Sequence, residues 1–301
     1  MNSFVTDLKA TWNKPNSGLA RLIIINVIAF VVMSLISLVC RFTGFEGFFN
    51  EYIFRNIALP PDISDFIVRP WTLITYFFSH SLQEFFHILF NMLMLYWFGV
   101  IFMEFLGSRK LVVLYILGGL VGGLLYLTMY NLVPYFISRQ PVGMIGASAC
   151  AYAIVVGAAT LSPDYRMNLL FFGPVKIKYI AAVTIFISLI GTSGANAGGN
   201  LAHLGGALIG FVYIKALKAG TDLGKPVSAV LDFFSNIGKP SSSLKVTYRK
   251  NSGSKKGKGA KDGEPDQEIV DAILDKISEK GYENLTQEEK QILFKASQKK
   301  G

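Results

Sequence analysis

Apolar runs dominate the first 216 residues and settle which solvent this chain folds in. Runs at 22–40, 85–106, 111–130 and 142–161 are each long enough for a helix to cross a bilayer. Two shorter ones, at 175–191 and 201–216, join them on the strength of the charges and motifs around them. In hydrocarbon a backbone must satisfy its polar groups internally, so such runs become helices. The 301 residues are 51% hydrophobic and only 16% charged, which argues against a globular enzyme and for a polytopic membrane protein with a soluble appendage. The expected fold is all-α, with six membrane spans over 22–217 after an N-terminal segment, 1–21. A flexible basic linker, 218–265, and a helical-hairpin tail, 266–301, complete it. The first span is expected to stay in the mature protein, because polar residues precede it and no small-x-small cleavage site ends it.

Basic residues orient the spans. Lys9, Lys14 and Arg21 precede span one, Arg109 and Lys110 follow span two, and Arg166, Lys176 and Lys178 follow span four. These segments are expected in the cytoplasm, with both termini. The opposite side holds Arg139, an uncharged loop from Thr192 to Asn200, and a first loop with more acidic than basic residues. A multi-pass protein of the bacterial inner membrane is the expected location. The first loop, 41–83, is crowded with aromatics (Phe42, Phe45, Phe48, Phe49, Tyr52, Phe54, Phe66 and Trp71), as suits a partly helical segment lying in the outer leaflet. Two cysteines, Cys40 and Cys150, make no disulfide framework.

Between Lys239 and Lys261 there are eight basic residues and no acidic one, interleaved with Ser and Gly, which suits attraction to anionic lipid. Beyond it Ile269, Ile273, Leu274 and Ile277 form one helical stripe, Gly281 marks a stop, and Thr286 with Glu289 reads as the capping box of a second helix. The net charge of +9 lies largely where membrane topology needs it, so no nucleic-acid partner is expected. The tail's partner is left open.

The chemistry is carried by few residues. There are only three histidines, His80, His87 and His203, and ionisable groups inside spans are costly and usually functional. In "NLAHLGGALIG", Gly206, Ala207 and Gly210 lie three, four and seven residues after His203, so one helical face carries the imidazole and almost no bulk. The matching partner is "GMIGASACAY", where Gly146, Ala147, Ala149 and Ala151 surround Ser148. Small residues of this kind also serve simple helix packing. Depth supports the sharper reading: counted from Val142, Ser148 lies about 9 Å along a helix, and His203, two residues past Leu201, enters at a similar or shallower level. A hydroxyl and an imidazole at matched depth can make the hydrogen bond that activates a serine nucleophile. In "HILFN", His87 and Asn91 share a face near the outer boundary and can supply oxyanion donors, although His87 alone also fits an interfacial histidine bonded to loop backbone. The spans hold one carboxylate, Glu104, at the wrong end, so a Ser–His dyad is inferred. Tyr152, one turn after Ser148, can steady His203 by stacking or hydrogen bonding. Neither a metal nor another cofactor enters this scheme.

With "HILFN", "GAS" followed by Tyr152, and "AHLGGALIG" in that order, residues 20–217 resemble the rhomboid family of intramembrane serine proteases. The resemblance implies a six-transmembrane-helix bundle that cleaves transmembrane protein substrates near the outer membrane face. It implies Ser148 as nucleophile, His203 as general base, His87 and Asn91 at the oxyanion, and Gly146, Tyr152, Gly206 and Gly210 as support. It also implies that the first loop lies in the membrane and that span five helps admit substrate laterally. Two departures stand out. Family members often carry a Trp-Arg pair in the first loop, whereas here Trp71 is followed by Thr72 and Arg69 comes two residues earlier. His80, seven residues before His87, receives no role. The competing class is a catalytically inactive rhomboid-like protein that binds membrane clients. A transporter is disfavoured because it would usually keep carboxylates at mid-membrane.

Overall fold

The computed structural model describes residues 4–81, 85–139, 141, 143–169, 172–236, 267–280, 282 and 285–297. It comprises two compact units, Met1–Gly224 and Lys225–Gly301. The first holds α1 (Phe4–Asn13), α2 (Gly18–Phe42), α3 (Phe85–Leu132), α4 (Ser148–Leu161), the hairpin β1 (Arg166–Leu169) and β2 (Gly173–Lys176), α5 (Ile177–Gly191) and α6 (Ala197–Lys218). Three of these, α2, α3 and α6, are long and apolar enough to cross a membrane, while α4 and α5 are shorter apolar helices. The chain is a membrane protein.

Helix α3 is 48 residues long and breaks at Gly107, where φ is 74° and ψ is 171°. A side chain there would be badly strained. The two arms, 85–106 and 108–132, correspond to the second and third apolar runs, and the turn between them is a single non-helical residue instead of four. Lys110 pairs with Asp222 just past α6.

Helix α4 lies at the centre, packed between α3 and α6. Its sequence, SACAYAIVVGAATL, is mostly small side chains, and eleven of its fourteen residues are buried. Without a hydrophobic force between helices in lipid, close backbone approach is what holds them together. The approach is close: a Cβ added to Gly118 would come within 2.6 Å of the Ala153 methyl, and one at Gly206 or Gly210 would run into the carbonyl oxygen of Ala149 or Ala153. Helices α2 and α5 show the opposite character. Val31, Leu35 and Val39 on α2, and Val183, Phe186 and Ile190 on α5, are exposed on the protein surface. Apolar faces of that extent suit lipid contact and would invite association in water.

The loop after α2 is partly helical, as expected, with short turns at 46–48, 49–54, 55–57, 63–68, 72–75 and 76–78. Arg69 organises it: the guanidinium is buried, donates to the Arg55 carbonyl at 2.8 Å and pairs with Asp65 at 3.0 Å. The Trp71 indole donates to the Asn56 carbonyl at 2.9 Å. Leu59 then pairs with Met144 through two 2.9 Å backbone hydrogen bonds, tying this loop to the segment that enters α4. Between α4 and α5 lies an antiparallel hairpin that hydropathy did not reveal, fastened by Asp164, which accepts from Lys176 and Lys178 at 2.9 Å each.

Several boundaries differ from the sequence reading. The fourth span was placed at 142–161, yet α4 begins at Ser148. The sixth was placed at 201–216, yet α6 begins at Ala197 and runs to Lys218. In the second unit, Lys225–Asn236 form an amphipathic helix, α7, inside the stretch expected to be flexible linker. The basic run 239–261 and the Gly281 stop lie outside the described residues. Helices α8 (Gln267–Lys280) and α9 (Gln287–Ser297) form the hairpin, and the capping box closes both ways: Thr286 N–H donates to Glu289 Oε2 at 2.7 Å and Glu289 N–H to Thr286 Oγ1 at 3.3 Å. Lys276 joins the two helices by an ion pair with Glu289 at 2.7 Å.

Candidate active site

Ser148 is the first residue of α4, not the seventh residue of a span starting at Val142, and so it is carried inward by extended chain and not by helix. Residues 143–147 descend beside the first loop, and Gly146 N–H donates to the Tyr76 carbonyl at 2.9 Å. Tyr76 is itself fixed by donating to the Gly119 carbonyl at 2.6 Å. Gly146 has φ of 135°, a region that L side chains rarely adopt. A Cβ there would lie 3.4 Å from His87 Cε1 and 3.5 Å from Ser148 Oγ, so the bare backbone threads between the hydroxyl and the imidazole. The helix start matters for charge. The first N–H groups of α4, including that of Ser148, have no carbonyl one turn earlier to bind, and the helix dipole favours negative charge beside them.

His203 stands in the second turn of α6, where the Gly206 and Gly210 face lets α6 lie directly on the α4 backbone. The serine thus lies nearer its helix start than hydropathy placed it, and the histidine farther from its own. Tyr152 stacks on the His203 ring with centroids 4.2 Å apart and planes at 12°. Among the described residues, no direct Ser148–His203 hydrogen bond is formed. The His203 Nδ1 atom lies 3.1 Å from Ser188 Oγ, which leaves Nε2 as the ring nitrogen not engaged by Ser188. Ser188, on α5, is fully buried and donates to Tyr152 Oη at 3.0 Å. Tyr152 in turn donates to the Thr184 carbonyl at 3.5 Å.

His87 and Asn91 are one turn apart at the start of α3. Asn91 is buried, and its amide nitrogen makes no hydrogen bond among the described residues. His80 lies just before α3, with its ring 5.9 Å from that of His87 at 69°. Burial, and secondarily the neighbouring His87, push His80 down to about 4, so it stays neutral near pH 7. A cavity of about 540 Å³ opens beside His87, bounded by Tyr126, Tyr130, Met144 and Ile145 and by the 194–199 segment that leads into α6. Among the described residues, no three His, Cys, Asp or Glu side chains gather into a metal site.

Ser148, His87 and Gly146 thus meet at one place, and Tyr152, His203 and Ser188 at another, one turn further along α4. Ser188 escaped the sequence reading. The signal was its spacing: Thr184 and Ser188, four apart, are polar residues of one helical face within an apolar run.

A model of the Rhomboid domain matches residues 68–219, and that of a family of unknown function (DUF6576) matches residues 262–299. RHOMBOID-like protein 12, mitochondrial, from Arabidopsis thaliana is 32% identical over 165 residues, which is 50% of this chain and 48% of that protein. The chain therefore spans about half the length of the curated relative it matches. No solved structure matches it.

Proposed function

Since the chain belongs to the rhomboid family, we propose that it is an intramembrane serine endopeptidase. Its substrates are transmembrane proteins, cut near the outer membrane face. The observation that carries this reading is the glycine seam of α6. Gly206 and Gly210 leave no side chain between the two backbones, so His203 is brought to the turn of α4 that begins with Ser148.

In this reading the chemistry is acyl transfer through serine. Ser148 Oγ attacks the scissile carbonyl carbon as its proton passes to His203 Nε2. The carbonyl oxygen becomes an oxyanion that accepts hydrogen bonds from the Asn91 amide, the His87 ring and the Ser148 backbone N–H. As the C–N bond breaks, His203 returns the proton to the leaving amine, and an acyl-enzyme ester remains on Ser148. Water then attacks the ester, giving its proton to His203, and the carboxylic acid leaves as Ser148 regains its hydrogen. The cavity beside His87 gives water and substrate backbone a way in from the outer side.

In the same reading, α2, the two arms of α3, α4, α5 and α6 make six spans, and α5 is the element beside which substrate enters. The proposal also keeps the bacterial inner membrane and the orientation with both termini cytoplasmic, supported by the basic residues at Arg109, Lys110, Arg166 and Lys176. A second reading, an inactive client-binding member, has one observation in its favour: Ser148 and His203 do not touch through a hydrogen bond. Such bonds are often long in unliganded enzymes and tighten with substrate.

Labelling of the purified protein with a fluorophosphonate separates the two. Wild type should react, and Ser148→Ala and His203→Ala should each lose both labelling and cleavage of a transmembrane reporter while still accumulating in the membrane. Cleavage by purified Ser148→Ala would overturn the mechanism.

A further inference from the structure

We propose that Ser188 is a positioning residue that holds His203 in the Nδ1–H tautomer, so that Nε2 presents a bare lone pair to Ser148. The assignment rests on the protease reading for its consequence, and on hydrogen-bond inventory for its content.

The inventory starts from a group that can only accept. The Thr184 carbonyl accepts a hydrogen bond from the Tyr152 hydroxyl at 3.5 Å, the long limit for such a bond. A phenol has one proton, so Tyr152 Oη must be an acceptor toward Ser188, and Ser188 Oγ donates to it at 3.0 Å. Ser188 also has one proton, and it is now spent. Its remaining contact, 3.1 Å to His203 Nδ1, can be a hydrogen bond only if Nδ1 carries the hydrogen. A neutral imidazole with Nδ1–H has its lone pair on Nε2. The chain His203, Ser188, Tyr152, Thr184 is therefore polarised in one direction by its terminal carbonyl.

Its place in the fold makes this more than a local satisfaction of polar atoms. Among the described residues no carboxylate bonds to the histidine, and in a serine–histidine site the wrong tautomer leaves the base already protonated on the nitrogen that must act. Tyr152 fixes the plane of the ring by stacking, but stacking does not distinguish one nitrogen from the other. Ser188 does. It is also the one polar side chain among the three buried residues of α5, the others being Ile177 and Ala181. The tautomer thus depends on where α5 sits, and an outward displacement of that helix would remove the acceptor from Nδ1.

The test uses the full chain in detergent micelles with 15N-labelled histidine, which gives only three imidazoles to assign. Long-range 1H–15N correlation near pH 8, where histidine is ordinarily neutral, should show His203 protonated on Nδ1. In Ser188→Ala the signal should move toward the Nε2–H form, and Ser188→Thr should restore it. For reporter cleavage, Ser188→Ala should lower kcat about tenfold, the scale of one lost hydrogen bond, with KM unchanged and kcat recovered in Ser188→Thr. A wild-type His203 protonated on Nε2 overturns the assignment without any variant, as does Ser188→Ala with an unchanged tautomer or a loss confined to KM. A wild-type protein that neither labels with fluorophosphonate nor cleaves would overturn the protease reading instead, and its spectrum would still decide the tautomer.

Discussion

Asn91 combines burial with an amide nitrogen that has no hydrogen-bond acceptor among the described residues, one turn from His87. A buried donor left this way costs about 1–3 kcal/mol, and in the proposed mechanism charge developing on a substrate oxygen offsets it. Asn91→Ala should therefore lower kcat about a hundredfold and leave KM nearly unchanged, measured by single-turnover cleavage of a reporter. Weaker binding with normal turnover would make it a substrate contact instead. Gly206 works by having no side chain: a Cβ would meet the Ala149 carbonyl oxygen, which is backbone and cannot swing aside. Gly206→Ala should lower thermal stability by about 1–3 kcal/mol and reduce labelling of Ser148, whereas Gly47→Ala, with open space around it, should change neither. At this scale much was legible. Rare histidines, and small residues at helical spacing around them, stand out in an apolar chain. Ser188 did not, because a serine one turn after a threonine in an apolar span reads as packing until its partners are known.

Helix boundaries were the least legible feature, for a definite reason. Residues 143–147 are as apolar and small as the helix they precede, so hydropathy cannot separate extended chain from helix there. What ends the extended segment is backbone geometry, the positive φ of Gly146 and its tie to Tyr76. The hairpin between α4 and α5 was missed because two four-residue strands carry too little alternation to register. The α3 break was foreseen as a turn of several residues, but one glycine suffices, because φ of 74° with ψ of 171° reverses the chain in a conformation nearly confined to glycine. One arm carries His87 and Asn91, and the other packs Gly118 and Gly122 against α4. Gly107→Ala should cost about 1–3 kcal/mol of stability, read as a lower midpoint in a thermal scan in detergent. It should also slow Ser148 labelling, since the arms would no longer meet α4 together. A variant of wild-type stability would show that the turn tolerates a side chain.

For the protease proposed here, the whole molecule sets the depth at which a substrate would be cut. Ser148 begins α4 beside the first loop and the segment leading into α6, at the end of the bundle opposite Gly107, Arg109 and Lys110. In the proposed orientation, with the basic end on the cytoplasmic side, Ser148 stands near the outer face. A substrate helix arriving from the lipid has its peptide bonds hidden in its own hydrogen bonds, and in hydrocarbon nothing replaces them. To be cut at Ser148 it would have to unwind beside the cavity next to His87, and helix-weakening residues lower that cost. Gly or Pro interrupts the ladder at about 1 and 3 kcal/mol relative to Ala. Beside Ser148 the bare backbone of Gly146 lies against His87, and a Cβ there would be in van der Waals contact with both side chains. Substrates with Gly, Pro or polar residues in the outer third of their span, and small side chains at the cut, should therefore be preferred. Mass spectrometry of products from a reporter whose span is scanned with Gly-Pro pairs should place every cut near the outer end, and flanking leucines should slow it. Cuts near the cytoplasmic end would reverse the orientation, and indifference to the leucines would remove unwinding from the mechanism.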